Sequence, residues 1–567
     1  MIARDVSSLS TLLQTHKIHR SLTGRFTRAT LRHQTSAYRL GTLVAGLSLL
    51  LTTSCGKSTP PGGGTGSDRL VIGTTAKFRT LDPADSYEVF SGNLLYNLGD
   101  RLYDYEPGSG KLKPKLATAL PKVSEDGLVY TIPLRKGVKF HDGTSFDAKA
   151  MAFSLERFIA NGGNPAGLLS DPVKSVQATG DLELTITLKK PFAAFTNLLA
   201  FSGLVAVSPK TYKKGAGQFL PNQFVGTGPY KLVKVGGDSI RLEVFEDYWD
   251  TKPTNKGINI QIFSSPANLF NAFRTGSIDV AYQSLDPDQI QALENDAKKG
   301  DWQAISGPSN FITFLMLNTK DEALSKVKVR QALAAMINRD VLNNRVFRGQ
   351  AESLYTLVPT IFTGISQPVF KAQQQKLGKD QIRGLLKDSG YSPGKPLKLN
   401  LWYRSNLTSD GVAAATIKAM VGQGYSDVVQ LEVNSVDSAT AYQNLAKGTY
   451  PMFMLDWAGD YYDPDTYLQP FLACEKGSVK TGCQKGQSQS WGSFFYSDRA
   501  NQLIDQQRQI RDPKQRLKPL TELQAILAKD VPYIPLWQKK DYVFAQKGIK
   551  GIQLQPSQQF PFWTLSK

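Results

Sequence analysis

The segment of this sequence that is richest in chemistry is DWAGDYYDPDTY, at positions 456–467. Its twelve residues hold four aromatic residues and four aspartates, Asp456, Asp460, Asp463 and Asp465. Carboxylates at this density suit a metal site, a pair of catalytic acids, a tight turn, or a pocket for a positively charged ligand. Each kind of site demands a different spacing, so the spacing helps to separate them.

The spacing in this segment fits a turn and a cation pocket best. A calcium loop needs oxygen ligands at fixed alternating positions around a glycine, and these aspartates do not follow that pattern. The DPD sequence is strong turn chemistry, so we expect Asp463 and Asp465 to be structural. A desolvated ammonium needs a charged partner, and a nearby ring adds about 0.5–2 kcal/mol of cation–π attraction. Paired acids of a secreted hydrolase, using Asp456 or Asp460, stay open as an alternative.

Other catalytic and metal-binding motifs are missing or fail on mechanism. The sequence contains neither HExxH nor GxxxxGK[ST]. Its GxSxG, at 390–394, places Pro393 directly after Ser392, and proline has no N–H to donate to an oxyanion. Only His141 lies outside the N-terminal segment, which leaves too few ligands for a zinc site. We therefore predict no catalytic residue, no metal and no cofactor.

The N-terminal residues are typical of an export signal. Residues 1–54 hold seven Lys/Arg and one acidic residue, and an uncharged run extends from Leu40 to Cys55. This run is shorter than the roughly 20 residues that span a bilayer, and a basic stretch before a short apolar run marks a secretory signal. The small residues before Cys55 resemble the lipobox of bacterial lipoproteins, in which the cysteine is lipidated. Residues 55–67, rich in Gly, Ser, Thr and Pro, predict a flexible tether.

Export also bears on the remaining charges and cysteines. The net charge is +19, but the Lys and Arg residues do not form the long blocks of a nucleic-acid-binding arm. A basic surface near an anionic membrane accounts for this charge more simply. Cys474 and Cys483 would reach an oxidising compartment, where so close a pair predicts a disulfide.

The elements that would position these residues alternate between strands and helices. LELTITLKK, at 182–190, alternates with period two and predicts a strand. VGTGPYKL, at 225–232, predicts a turn that leads into a hairpin. Apolar residues at helical spacing predict helices over four segments, 145–160, 325–347, 497–510 and 513–530. This mixed order without a fixed repeat predicts α/β domains with mixed sheets.

Several stretches of the chain, in this order, resemble a known family. They are FRTLDPADSYEVFSGNLLYNLGDRLYDYEPGSGKLKPKLATAL, DGLVYTIPLRKGVKFHDGTSFDAKAMAFSLERF, VGTGPYKL, FRTGSIDVAYQSL, FLMLNTK, KVRQALAAMINRD and VPYIPLW. The family is that of the family 5 extracellular solute-binding proteins, the dipeptide- and oligopeptide-binding receptors of bacterial ABC importers. The resemblance extends from about Leu70 to about Leu554.

This resemblance implies a fold and a division into domains. The implied fold is the two-lobed periplasmic-binding-protein fold of the cluster C type, with three domains, a hinge of two crossover strands and a ligand cleft between the lobes. On this sequence the expected division is signal segment 1–54, lipidated cysteine and tether 55–67, domain I in 68–111, 222–325 and 541–567, domain II in 112–221, and domain III in 326–540.

The resemblance also implies roles for particular residues. In the peptide-binding members, an aspartate in a Trp-x-x-Asp stretch meets the α-ammonium of the ligand. Trp457, Gly459 and Asp460 match that stretch, so Asp460 is the expected anchor. The matching region around Lys447 has no arginine for the ligand carboxylate. Arg404, which follows a predicted strand, is the candidate for that role, and a surface arginine is the alternative interpretation.

The predicted function is that of a substrate-binding lipoprotein of an ABC importer, not of an enzyme. The protein would capture short peptides and deliver them to the permease subunits. It would be a monomer without nucleic-acid partners, anchored through Cys55 on the periplasmic side of the inner membrane. A receptor of the same family for a nickel chelate, a sugar or another small solute is one alternative, and a secreted hydrolase is another.

Overall fold

A computed structural model of the chain describes residues 69–555, 557 and 559–567. The predicted signal segment, the lipidation of Cys55 and the tether at 55–67 lie outside the described residues. Within the described part of the chain, no helix is both long and apolar enough to cross a membrane.

Strands and helices alternate along the described chain. The strands are β1 Leu70–Thr74, β2 Tyr103–Tyr105, β3 Leu112–Pro114, β4 Lys122–Val123, β5 Val129–Pro133, β6 Val173–Gly180, β7 Glu183–Leu188, β8 Tyr230–Val235, β9 Ser239–Val244, β10 Ile258–Ile262, β11 Val280–Tyr282, β12 Trp302–Leu317, β13 Ala351–Ser353, β14 Leu397–Arg404, β15 Val429–Val436, β16 Met452–Ala458, β17 Lys476–Ser478, β18 Gly482–Lys485 and β19 Tyr533–Gln546.

The helices range from single turns to elements of five turns. The α-helices are α1 Val89–Leu98, α2 Ala148–Ala160, α3 Gly167–Ser170, α4 Phe195–Leu198, α5 Pro266–Arg274, α6 Pro287–Lys298, α7 Val327–Met336, α8 Arg339–Phe347, α9 Val369–Gln373, α10 Lys379–Asp388, α11 Thr408–Tyr425, α12 Ser438–Leu445, α13 Gln469–Leu472, α14 Gln487–Ser490, α15 Asp498–Gln509 and α16 Pro513–Asp530. Two 3-10 helices cover Pro464–Tyr467 and Phe562–Thr564.

Two long antiparallel strands join the halves of the largest sheet. The order of this sheet is β15-β14-β16-β12-β19-β11-β1-β10-β9-β8, with β13 also paired to β19. The strands β12 and β19 contain 16 and 14 residues and pair with each other along most of their length. The C-terminal part of β12 also pairs with β16, and the C-terminal part of β19 pairs with β11. These two strands therefore connect the two halves in the way that the implied hinge requires.

The buried apolar residues form separate cores on the two sides of these strands. The largest core is built from residues between Ile312 and Trp537, and we call this part of the chain lobe B. The other cores are built from residues of Leu70–Trp302 and Tyr542–Leu565, which we call lobe A, and Tyr461 of lobe B also packs into one of them. A second sheet, in the order β4-β5-β7-β6, lies in lobe A. Parallel and antiparallel pairs occur together, so the predicted α/β class with mixed sheets is confirmed.

Most of the predicted elements are confirmed, with one correction. The strand predicted in 182–190 is β7, and the predicted hairpin is β8 paired with β9. The helix predicted over 325–347 is two helices, α7 and α8. The chain breaks at Ile337 and Asn338, which have extended backbone, and the Asn338 side chain caps α8 by accepting from the N–H of Asp340 at 3.0 Å. The capping side chain and buried Ile337 override the apolar spacing that suggested one continuous helix.

Candidate ligand-binding site

The aspartate-rich segment begins at the C-terminal end of strand β16, and the chain then folds back on itself. Strand β16 ends at Ala458, and the chain turns through Gly459 before the 3-10 helix Pro464–Tyr467. The N–H of Gly459 donates to the Tyr467 hydroxyl at 3.0 Å. A Cβ atom on Gly459 would lie 2.6 Å from the Cγ2 atom of Thr466, so this close approach requires glycine. The turn places the Asp460 side chain at the surface of lobe B.

Asp460 faces a cavity to which both lobes contribute. The cavity has a volume of about 100 Å³ and is lined by residues of 86–93, 105, 200–202, 310, 458–462, 557 and 559. The Tyr87 hydroxyl, from lobe A, donates a hydrogen bond of 2.8 Å to Oδ1 of Asp460. Asp460 and Gly459, two of the predicted site residues, therefore reach a cavity between the lobes.

The electrostatics at Asp460 are those of a carboxylate without a charged partner. Burial raises the pKa of Asp460 to about 7, and the hydrogen bond from Tyr87 offsets only part of this rise. Burial, followed by the charge of Asp460, also raises the pKa of Tyr87 well above its usual value, so Tyr87 stays a donor. Tyr87 lines the cavity and keeps 39% of its surface exposed. A cationic ligand would supply the charge that Asp460 lacks.

The tyrosines next to Asp460 make further contacts between the lobes. The Tyr461 ring packs with the core of lobe A, 5.9 Å from the centre of the Phe192 ring. The backbone N–H of Tyr462 donates to the Tyr105 hydroxyl at 3.1 Å, and Asn197 donates to the carbonyl of Tyr462 at 2.9 Å. The aromatic residues of this segment therefore form a contact across the cleft.

Asp463 and Asp465 have the structural roles that the turn chemistry predicts. Asp463 caps the 3-10 helix and forms a two-pronged ion pair with Arg516, at 2.6 and 2.7 Å. Asp465 is fully buried and pairs with Arg508 at 2.6 Å. Burial opposes the ionisation of Asp465, but the positive charges of Arg508 and Arg516 outweigh it and hold the pKa of Asp465 below its usual value. Neither aspartate lines the cavity.

Two of the predicted site residues lie behind the cavity wall. The Trp457 indole N–H donates to the carbonyl of Thr466 at 2.9 Å, and the Trp457 ring packs edge-on against Trp491. Arg404 is buried, and its Nη2 atom lies 2.7 Å from Oδ2 of Asp456. Neither Trp457 nor Arg404 lines the cavity, so the structure does not bring them to Asp460 as ligand contacts.

Most polar residues of the cavity were not predicted from the sequence, and three of them matter most for the site. Besides Tyr87, they are Ser86 and Asn310, which are only 2% and 4% exposed. The Ser86 Oγ and Asn310 Oδ1 atoms have no hydrogen-bond partner among the described residues. Ser86 and Tyr87 lie in a stretch that carries the family resemblance, but no spacing links them to Asp460.

The predicted disulfide is confirmed. Cys474 and Cys483 are bonded, with Cα atoms 5.7 Å apart, and the bond links the residues just before β17 to strand β18. Neither cysteine lines the cavity, so the disulfide supports the hairpin rather than the ligand site itself.

The fold and the cleft define a two-lobed solute-binding protein, and comparisons with known proteins agree. The family model described as bacterial extracellular solute-binding proteins, family 5 Middle, matches residues 111–478. The chain therefore belongs to this family, which confirms the predicted resemblance.

Individual relatives align over most of the chain. The probable D,D-dipeptide-binding periplasmic protein DdpA of Escherichia coli (strain K12) is 27% identical over 88% of this chain and 94% of the relative. The glutathione-binding protein GsiB of the same strain is 27% identical over 93% of this chain and 98% of the relative. Among solved structures, the periplasmic binding protein DppA of Helicobacter pylori in complex with the peptide STSA has a TM-score of 0.72 and 25% identity, covering 88% of this chain and 97% of that one.

Proposed function

We propose that this protein is the substrate-binding component of an ABC importer and that it captures short peptides through their α-ammonium group. The observation that carries the proposal is the carboxylate of Asp460, which faces the interlobe cavity with an uncharged hydroxyl as its hydrogen-bond donor. The names of relatives support a peptide ligand, because they bind a D,D-dipeptide, glutathione or the peptide STSA.

Capture would work by closing the lobes over the ligand. An ammonium placed at Asp460 would lie beside Tyr87 of lobe A, whose hydroxyl is bonded to Asp460, as well as against the carboxylate of lobe B. A ligand that contacts both lobes stabilises the closed state and shifts the hinge equilibrium towards it. The strands β12 and β19 are the segments that would bend, since they connect the lobes.

The protein would act by binding and delivery, without turnover. Asp456 is held by Arg404, so it is poorly placed to act as one of two catalytic acids, and this weighs against a hydrolase. Delivery requires permease subunits in the inner membrane, and lipidation of Cys55 would keep the receptor at the periplasmic face of that membrane. We propose a monomer, because one chain supplies both walls of the cleft.

Identification of the bound molecule tests the proposal. The protein purified from the periplasm under native conditions would be measured by native mass spectrometry and then denatured to release its ligand. We expect one short peptide per chain, released unchanged after prolonged incubation. A metal chelate or a sugar in place of a peptide, or a steady accumulation of cleavage products, would contradict the proposal.

A further inference from the structure

The charged side chains on the cavity wall all have the same sign. Glu88 and Asp460 both line the cavity, and none of its described lining residues is a lysine, an arginine or a histidine. We propose that the cavity selects short ligands that carry a positive charge and no free carboxylate, such as dipeptide amides, over free dipeptides. This inference rests on the proposed function, because it takes Asp460 as the partner of the ligand ammonium.

The described cations near the cavity already have carboxylate or aromatic partners. The arginines around the aspartate-rich segment each have a carboxylate partner: Arg404 with Asp456 at 2.7 Å, Arg508 with Asp465 at 2.6 Å, and Arg516 with Asp463 at 2.6 Å. Lys539, on β19, holds its ammonium 4.3 Å from the centre of the Phe311 ring and does not line the cavity. Arg79, beside the cavity, is paired as well: its Nη1 atom lies 2.5 Å from Oδ2 of Asp85 and its Nε atom lies 3.4 Å from Oε1 of Glu88. A ligand carboxylate would therefore find no positively charged side chain among the described lining residues, and the cations nearby already have partners.

Helix α1, which begins at the cavity, does not replace a cation. Helix α1 starts at Val89, and the N-terminus of a helix ordinarily attracts an anion. The Glu88 side chain lies at this end already, since its Oε2 atom accepts from the Ser91 hydroxyl at 2.9 Å. Arg79 offsets part of the negative charge of Glu88, since its Nε atom lies 3.4 Å from Oε1 of Glu88, and the rest of that charge would repel a ligand carboxylate from the N-terminus of α1.

The unpartnered polar atoms also favour an amide over a carboxylate. The Asn310 Oδ1 atom is a buried acceptor, and the Ser86 Oγ atom can accept as well. An amide –NH2 offers two donors to such atoms, whereas a carboxylate offers none. Buried acceptors without a donor are costly, so a ligand that supplies N–H groups gains affinity here.

A dipeptide is short enough to keep its C-terminal end at the cavity. A dipeptide spans about 7 Å at roughly 3.5 Å per residue. With its ammonium at Asp460, its carboxylate would remain beside the cavity walls, which include Glu88. Longer peptides could carry their carboxylate out of the cavity, so the selectivity should be strongest for dipeptides.

Three alanine dipeptides test this inference by isothermal titration at pH 7.5. They are Ala-Ala, Ala-Ala-amide and N-acetyl-Ala-Ala-amide. We expect Ala-Ala-amide to bind at least tenfold more tightly than Ala-Ala, because only the free acid buries an unpaired carboxylate. If Ala-Ala binds as tightly as its amide, while acetylation still abolishes binding, the charge selectivity is wrong and the proposed function stands. If acetylation of the amide costs no affinity, the proposed function itself is wrong.

Matched glutamine variants show whether the wall charge causes the preference. Glu88→Gln should reduce the amide-to-acid affinity ratio several-fold. Glu156→Gln makes the same change on α2, at a half-exposed residue paired with Lys214 outside the cavity, and should keep the wild-type ratio. An unchanged ratio in Glu88→Gln, with the fold intact by circular dichroism, would contradict the role given to this charge.

Discussion

The hydroxyl of Tyr87 donates a hydrogen bond of 2.8 Å to Asp460, although the two residues are 373 positions apart in the chain. Tyr87 belongs to lobe A and Asp460 to lobe B, so this bond closes the cavity at the point where we place the ligand ammonium. The carboxylate of Asp460 has a second oxygen for the ligand. One side chain thus takes part both in ligand binding and in the contact between the lobes.

Substitutions of two neighbouring aspartates should have different consequences. Asp460→Ala should weaken the binding of a short peptide by about 30-fold or more, since losing one partner of a buried charge pair costs about 2–5 kcal/mol. Asp463→Ala should instead lower the free energy of unfolding by about 3–5 kcal/mol, because it leaves the buried guanidinium of Arg516 unpaired.

Urea unfolding and isothermal titration, run on both variants, separate these effects. An Asp463→Ala protein that is as stable as the wild type would show that its ion pair is not structural. An Asp460→Ala protein with unchanged affinity would remove Asp460 from the binding site.

Peptide affinity should depend on pH through Asp460. The pKa of Asp460 is about 7 before ligand binds, and only the ionised carboxylate pairs with an ammonium. The dissociation constant should therefore rise as pH falls below 7, by roughly tenfold per pH unit. Tyr87→Phe removes a hydrogen bond that lowers this pKa, so it should move the midpoint to higher pH. Binding titrations between pH 5 and 8 would measure the dissociation constants of the wild type and of Tyr87→Phe. A wild-type dissociation constant that does not change with pH would contradict the role given to Asp460.

The free energy of unfolding should also depend on pH through Asp460. Between about pH 4 and pH 7, Asp460 is protonated in the folded protein but ionised in the unfolded chain, because an unperturbed aspartate has a pKa of about 3.9. This residue therefore makes the free energy of unfolding fall as pH rises through that window. Relative to the wild type, Asp460→Asn should be more stable at pH 8 than at pH 5. Thermal unfolding of the wild type and of Asp460→Asn at pH 5 and pH 8 would measure this difference in stability.

The local parts of this structure could be predicted from the sequence, and the contacts between the lobes could not. In β7, apolar residues alternate with polar ones, and the alternation buries Leu184, Ile186 and Leu188. This pattern can be recognised from a few neighbouring residues. The bond between Tyr87 and Asp460 depends on how two lobes meet, and no local pattern encodes that arrangement. The likeness to a known family supplied Asp460. Arg404 was chosen because it follows a predicted strand, and that position gives no sign of its buried ion pair with Asp456.

Gly110 offers a direct way to test whether lobe closure governs binding. It lies in the turn between β2 and β3, and a Cβ atom there would overlap the ring of Tyr462 from the other lobe. Gly110→Ala should therefore disfavour the closed state and weaken peptide binding by about tenfold or more, since affinity scales with the population of the competent state.

A second glycine provides the matched control for this experiment. Gly237, between β8 and β9, has no atom within 4 Å of an added Cβ, so Gly237→Ala should bind peptide like the wild type. Gly237→Ala should also unfold within about 0.5 kcal/mol of the wild type, and circular dichroism checks that Gly110→Ala keeps its fold. Equal affinity in Gly110→Ala and Gly237→Ala would show that this interlobe contact does not limit binding.

The proposed membrane anchor depends on a single cysteine. Cys55→Ser should abolish the incorporation of radiolabelled palmitate and shift the protein from the membrane fraction to the soluble fraction, or leave its signal segment uncleaved. Cys474→Ser serves as the control for loss of a cysteine, because that residue is already bonded to Cys483. Palmitate labelling that persists in Cys55→Ser would rule out this anchor.

The most direct test of the role of Asp460 compares the binding of a free and an N-acetylated tripeptide to the wild type and to Asp460→Ala by isothermal titration. If Asp460 reads the α-ammonium, acetylation should weaken wild-type binding by about 30-fold or more and should add little to the loss already present in Asp460→Ala. The coupling between the two changes would then identify a direct contact. If acetylation costs the wild type nothing, or if its cost is the same with and without Asp460, then Asp460 does not bind a peptide amino terminus.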